Sequence, residues 1–166
     1  MGASHVRRRQ VHQRRFRRRA PARRLSRRDL RLIAVFVDTS ALFALLARND
    51  PAHDAARRYL AGSPEQEVLM THSHVLVETT ALVQRRLGLE AVADLRDEIM
   101  PLLTVTWVDA ELHRTALAAT LAGTGEVSLV DHTSFALMRR RGIHRAFAFD
   151  DHFVHEGFVL EGASPP

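Results

Sequence analysis

A chain of 166 residues with 46% apolar content has room for one domain around a buried core. Cysteine and lysine are both absent, and all 24 basic residues are arginine. This excludes disulfides, thiolate metal sites, cysteine nucleophiles and every mechanism that needs a lysine, such as Schiff bases or the P-loop. The net charge of +5 is unevenly spread. Residues 1–33 carry 13 arginines and one acid, Asp29, for +12, while the remainder sets 11 arginines against 18 acids for −7.

Residues 1–32 are too arginine-rich and too poor in apolar residues to offset the entropy of ordering, so a disordered leader is expected there. Two readings fit it. One is a phosphate-binding arm that raises nucleic-acid affinity without sequence preference. The other is a solvated extension, including one produced by a start codon assigned too far upstream, and the abrupt onset of the folded pattern at Ile33 favours it. No apolar run approaches the roughly 20 residues of a membrane span, and the N-terminus lacks a secretory h-region, so a soluble cytoplasmic protein is expected.

From Ile33 the elements follow in order. Ile33-Ala34-Val35-Phe36-Val37 is short, rich in β-branched residues and without alternation, which predicts a strand buried on both faces. Asp38 stands at its end, and Thr39 or Ser40 can cap the helix that follows. That helix ends near Arg48–Pro51, because proline disfavours helix at the preceding residue. A second helix is predicted over 52–61, a strand over 68–71, and a long helix over 74–87 closed by Gly88. A helix over 90–100 stops at Pro101, a strand follows over 102–108, and a helix over 109–121. Residues 127–141 form another helix ended by Gly142, residues 146–149 a short strand, and Val159-Leu160 a final edge strand. The domain spans 33–160, with a frayed tail over 161–166. Strands alternating with helices predict an α/β architecture with a mostly parallel central sheet.

Four acids stand out. Asp38 and Asp150 end buried strands, while Glu78 and Asp131 fall in the apolar registers of their helices. In open α/β sheets ligands collect outside the carboxyl ends of the strands, where all four can meet. Two carboxylates about 4 Å apart repel by roughly 4 kcal/mol at an effective dielectric near 20. Such a cluster protonates or binds a cation, and an all-oxygen set points to Mg²⁺ or Mn²⁺. Each acid also has a plain structural reading: Asp38 and Asp131 as helix caps, Asp150 as a turn aspartate, Glu78 paired with an arginine such as Arg114. The ten histidines form no H-E-x-x-H or comparable spacing, and the pairs His72/His74 and His152/His155 are weak signals. No G-x-S-x-G elbow or G-x-G-x-x-G loop is present.

The segments Val37-Asp38-Thr39-Ser40-Ala41-Leu42, Leu76-Val77-Glu78-Thr79, Ser128-Leu129-Val130-Asp131-His132-Thr133-Ser134-Phe135-Ala136 and Phe149-Asp150-Asp151-His152-Phe153 resemble, in order and separation, the four motifs of PIN-domain ribonucleases. The likeness covers residues 33–157 and is nearest to VapC-type toxins of bacterial and archaeal toxin–antitoxin systems. It implies a three-layer α/β/α domain and a Mg²⁺-dependent endoribonuclease acting on RNA. It also implies a cognate antitoxin and a homodimer. Carried over by position, Asp38, Glu78, Asp131 and Asp150 match the acidic, metal-binding quartet, with Asp38 and Asp131 the surest ligands. Thr39, Ser40 and Ser128 match its hydroxyl positions. One departure is Asp151 directly after Asp150, which leaves open which of the two faces the site. A second reading, a non-catalytic PIN-like module binding nucleic acid through the arginine leader, has no use for four aligned acids.

Overall fold

The computed structural model describes residues 33–162; the leader expected over 1–32 and the last four residues of the tail lie outside the described residues. Strand β1 (Ile33–Val37) is the centre of a five-stranded sheet. Its uninterrupted apolar run is explained by its neighbours, since it pairs with β2 (Glu67–His72) on one side and β4 (Arg145–Phe147) on the other. Val35, Phe36 and Val37 are buried.

Two helices, α1 (Thr39–Leu46) and α2 (His53–Gly62), connect β1 to β2. Helices α3 (Ser73–Leu87) and α4 (Leu89–Asp94) lead on to β3 (Thr104–Thr106). The chain then returns through α5 (Ala110–Ala122) and α6 (Leu129–Arg141) to β4, and a short α7 (His152–His155) reaches β5 (Val159–Glu161). The strand order is β3-β2-β1-β4-β5, and every pairing is parallel. The path runs outward from β1 on one side and returns on the other. Right-handed crossovers therefore place α1–α4 on one face and α5–α7 on the opposite face, giving three layers.

Differences from the sequence reading sit at element ends, where tertiary hydrogen bonds overrule local pattern. The strand expected over 102–108 is only Thr104–Thr106. Leu102 belongs to a 3₁₀ turn, and the Val108 backbone N–H donates to Ser73 Oγ (3.1 Å) instead of a neighbouring strand. The helix expected over 90–100 is α only to Asp94 and continues as a π turn, Leu95–Ile99, whose first and last residues are buried. Strand β4 begins one residue early, at Arg145, and ends at Phe147 because the Phe149 N–H donates to Ser40 Oγ (3.0 Å). The chain stays in the sheet to Glu161, through β5.

Aromatic packing fixes the lower half of the later site. Phe153 is fully buried against Phe36 and Phe135, with ring centroids at 6.2 and 5.0 Å. A four-residue helix has little stability of its own, so this anchor holds α7 in place.

At the amino edge of the sheet, Arg145 Nη1 lies 2.8 Å from Glu67 Oε1, and its Nε donates to Glu161 Oε1 (2.6 Å). Glu67 is buried and also accepts from Tyr59 Oη (3.0 Å) and Ser63 Oγ (2.7 Å). The Glu161 carboxylate, followed by Glu67, holds the Arg145 guanidinium even more firmly protonated than usual. Truncating Arg145 removes its contacts with two carboxylates, one of them buried. Arg145→Ala is therefore expected to lower stability by about 3 kcal/mol. The midpoint of urea unfolding measures this, and a loss under about 1 kcal/mol would mean that the pair contributes little.

Candidate metal centre

Because the chain leaves β1 in one direction and returns to β4 on the other side, the crevice between their carboxyl ends is the topological switch point where α/β sheets bind ligands. Asp38 is the first residue past β1 and is 4% exposed. Its backbone N–H donates to Phe147 O (3.1 Å), continuing the β1–β4 ladder one step. Its Oδ2 accepts from the Ser40 N–H (2.9 Å) and Ser40 Oγ (2.6 Å), so Asp38 caps α1. Its Oδ1 is buried and finds no hydrogen-bond partner among the described residues. Burial pushes the carboxyl up to about 6, against the Ser40 hydrogen bonds that lower it, and the charge of Asp131 adds to the rise.

Asp131 lies in the first turn of α6. Its Oδ2 accepts from Ser128 N–H (3.2 Å) and Oγ (2.8 Å), while its own N–H donates to Ser128 Oγ (3.1 Å). This is a capping box, and Ser128 serves it. Asp150 stands between β4 and α7, and its Oδ1 accepts from the His152 N–H (2.9 Å). Asp131, Asp150 and His152, all half-buried, each offer a ligand atom, and these atoms lie within 4.8 Å of one another. Asp151 is exposed, so Asp150 is the member of that pair that joins the cluster.

Glu78 lies outside the Asp131–Asp150–His152 group, and its plain structural reading as the partner of Arg114 does not hold. It is held by Thr39, whose Oγ1 donates to Glu78 Oε2 (2.6 Å), and Thr79 Oγ1 donates to Thr39 Oγ1 (3.4 Å). Arg114, the suggested partner of Glu78, instead donates to Ala110 O within its own helix (3.2 Å). Thr39, the residue directly after Asp38, thus ties Glu78 to the end of β1. Ser40 bridges Asp38 to the backbone that follows β4. His152 was not singled out in the sequence beyond a weak pair with His155. Its signal was its position between Asp150 and the buried Phe153.

Helix α6, which carries Asp131, is oriented by a buried relay. His72 Nδ1 accepts from the Val75 N–H (3.2 Å), which assigns the proton to Nε2 and makes Nε2 the donor to Ser134 Oγ (3.0 Å). Ser134 Oγ donates in turn to Val130 O (3.0 Å). Burial pulls His72 down to about 3, aided by the neighbouring His74, so the imidazole stays neutral and the relay keeps its direction.

The donor set suits a cation. An acceptor oxygen of a buried carboxylate without a donor is costly unless a positive group satisfies it. Asp131, one of the three residues of the Asp131–Asp150–His152 group, acts on Asp38 through its charge, while Asp38 and Glu78 are not themselves members of that group. The cluster has the composition and spacing to hold a divalent ion.

The chain belongs to the PIN-domain family, whose profile matches residues 35–158. It is 42% identical over 127 residues to the 23S rRNA-specific endonuclease VapC20 of Mycobacterium tuberculosis, covering 75% of this chain and 95% of that protein. The crystal structure of Mycobacterium tuberculosis VapC20, described as a sarcin-ricin loop cleaving toxin, matches with a TM-score of 0.69 and 39% identity. That match covers 79% of this chain and 99% of that one. The structure of FitAcB from Neisseria gonorrhoeae matches with a TM-score of 0.57 and 13% identity over 76% of this chain and 96% of that one, a likeness of fold alone.

The raised Asp38 carboxyl ties stability to pH. The folded chain holds a proton there up to about pH 6, whereas the unfolded chain releases it near 3.8. The stabilisation is full below about pH 4 and is lost as pH rises through 6, by about 3 kcal/mol for a shift of about two units. Asp38→Asn in the chelator-treated chain is therefore expected to be more stable than the parent at pH 7 by up to about 3 kcal/mol. The gain should vanish near pH 4. Denaturant melts at pH 4, 5.5 and 7 test this, and a pH-independent difference would refute it.

Proposed function

We propose that this chain is a divalent-metal-dependent endoribonuclease and the toxin of a toxin–antitoxin pair. The observation that carries it is the grouping of Asp131, Asp150 and His152 at the sheet's switch point, with the buried Asp38 carboxylate, whose Oδ1 is partnerless among the described residues, feeling the charge of Asp131, in a chain of the PIN-domain family. Asp38, Asp131 and Asp150 would hold Mg²⁺ or Mn²⁺, and Glu78, fixed by Thr39, would orient the attacking water. A bound divalent cation supplies an activated water and neutralises charge on the scissile phosphate. Ser40 keeps the Asp38 carboxylate aimed into the crevice, and Ser128 does the same for Asp131. With no lysine in the chain, arginines are the only side-chain cations other than histidine available to the phosphates.

The substrate follows from the similarity to VapC20: a looped segment of ribosomal RNA, whose unpaired bases and phosphates are accessible. The partners are a cognate antitoxin that covers the acidic crevice and a second copy of the chain, and the pair acts in the cytoplasm. Among the described residues, no helix is long and apolar enough to cross a membrane. The reading as a non-catalytic module is not favoured, because such a module gains nothing from burying a carboxylate that weakens the fold at neutral pH. Residues 1–32 are proposed as dispensable for catalysis.

The purified chain is expected to cut a ribosomal stem-loop RNA with Mg²⁺ or Mn²⁺ and to lose activity in EDTA. Asp38→Asn and Asp131→Asn should each lower the rate on the order of 10³-fold, the scale on which loss of one charge-stabilising group acts. Deletion of residues 1–32 should leave the rate unchanged. Full cutting in EDTA would refute the metal role, and RNA binding without cutting by the intact chain would refute the nuclease.

A further inference from the structure

Among the described residues, two buried side-chain polar atoms have no hydrogen-bond partner, and both belong to the same crevice. Asp38 Oδ1 is accounted for by the proposed acidic site. The second, His152 Nδ1, belongs to a residue outside the acidic quartet.

The ring nitrogen is 3.1 Å from Asp150 Oδ1, but the two are not aligned as a hydrogen bond. That oxygen already accepts the backbone N–H of His152 itself. A neutral imidazole carries one donor and one lone pair. At this separation the two atoms are held together either by a proton on Nδ1, which makes them an ion pair when the ring is charged, or by a cation that both contact. The ring is not free to leave: Phe153, next in the chain, is locked into the aromatic core, and the turn at Asp150 fixes the other side. The separations within 4.8 Å among His152, Asp150 and Asp131 are close to what one ion spans with bonds of about 2.1 Å.

We infer that the His152 ring nitrogen is a direct metal ligand, joining Asp131 and Asp150 in a mixed nitrogen–oxygen site that prefers a first-row transition ion such as Mn²⁺ over Mg²⁺. The chemistry is that of donor type. Mg²⁺ takes oxygen ligands in a rigid octahedron, whereas imidazole suits transition ions. The inference rests on the metal site of the proposed nuclease and adds to it a ligand and a preference.

The test uses the full chain freed of metal by chelation, with Mn²⁺ as the probe. Pulsed electron paramagnetic resonance of bound Mn²⁺ should show coupling to a directly coordinated nitrogen. In His152→Ala, which keeps the backbone bond to Asp150, that coupling should disappear. Mn²⁺ affinity should fall about tenfold or more, and Mg²⁺ affinity, read by competition, by less than about threefold. His152→Gln, which retains bulk but offers no imidazole, should behave the same. Bound Mn²⁺ without nitrogen coupling in the parent chain, or coupling that survives in either variant, overturns the inference. If the parent binds Mn²⁺ without that coupling yet cuts RNA, only the role of His152 falls. If it binds no Mn²⁺ and cuts nothing, the nuclease reading falls as well.

Discussion

A single buried carboxylate at the end of the central strand sets the terms for this structure. Asp38 is held from every side by groups that have no freedom to shift. Its N–H extends the β1–β4 ladder, its Oδ2 takes both donors of Ser40, and Ser40 is itself held by the backbone after β4. Thr71 Oγ1 donates to Val37 O (2.8 Å) and secures the strand end from the β2 side. The carboxylate is therefore anchored through Oδ2, and Oδ1 is left buried without a hydrogen-bond partner among the described residues. Placement by backbone and hydroxyl, on rigid elements, is what a site needs to keep its geometry before a ligand arrives.

The same economy recurs at the other acids. Asp131 and Asp150 each use one oxygen to satisfy nearby backbone, through a helix capping box and a tight turn. The structural role leaves room for a chemical one, because a carboxylate has two oxygens and the backbone contact takes one. The His72–Ser134 relay belongs to the same logic. It joins the end of β2 to α6 through a neutral imidazole, so the helix that carries Asp131 is registered against the sheet by hydrogen bonds as well as by apolar packing.

Much of this was legible in the sequence, for local reasons. A continuous apolar run can only be a doubly covered strand or a buried helix segment, and its shortness and β-branched content settle β1. Pro51, Gly88 and Gly142 punctuate the chain where the helices stop, and Gly142 takes the left-handed conformation, φ 63°, that closes α6. The acids were visible because each interrupts an apolar pattern. What was hidden depended on contacts distant in sequence. The bond from Val108 to Ser73 shortens β3, and that from Phe149 to Ser40 ends β4. The grip of Thr39 on Glu78 spans 39 positions. His152 was hidden for another reason. A histidine two residues past an aspartate looks like ordinary surface until the short helix it begins is seen pinned by Phe153.

The capping roles of the acids also bear on when the ion enters. Small zinc domains are unfolded until the metal arrives, because their ligands have nothing else to hold them. In this chain Asp38, Asp131 and Asp150 each already accept a backbone N–H. The cost of burying Asp38 at neutral pH is smaller than the usual stability of a domain of this size. The crevice is thus a finished receptacle, built before any cation is needed to hold its walls.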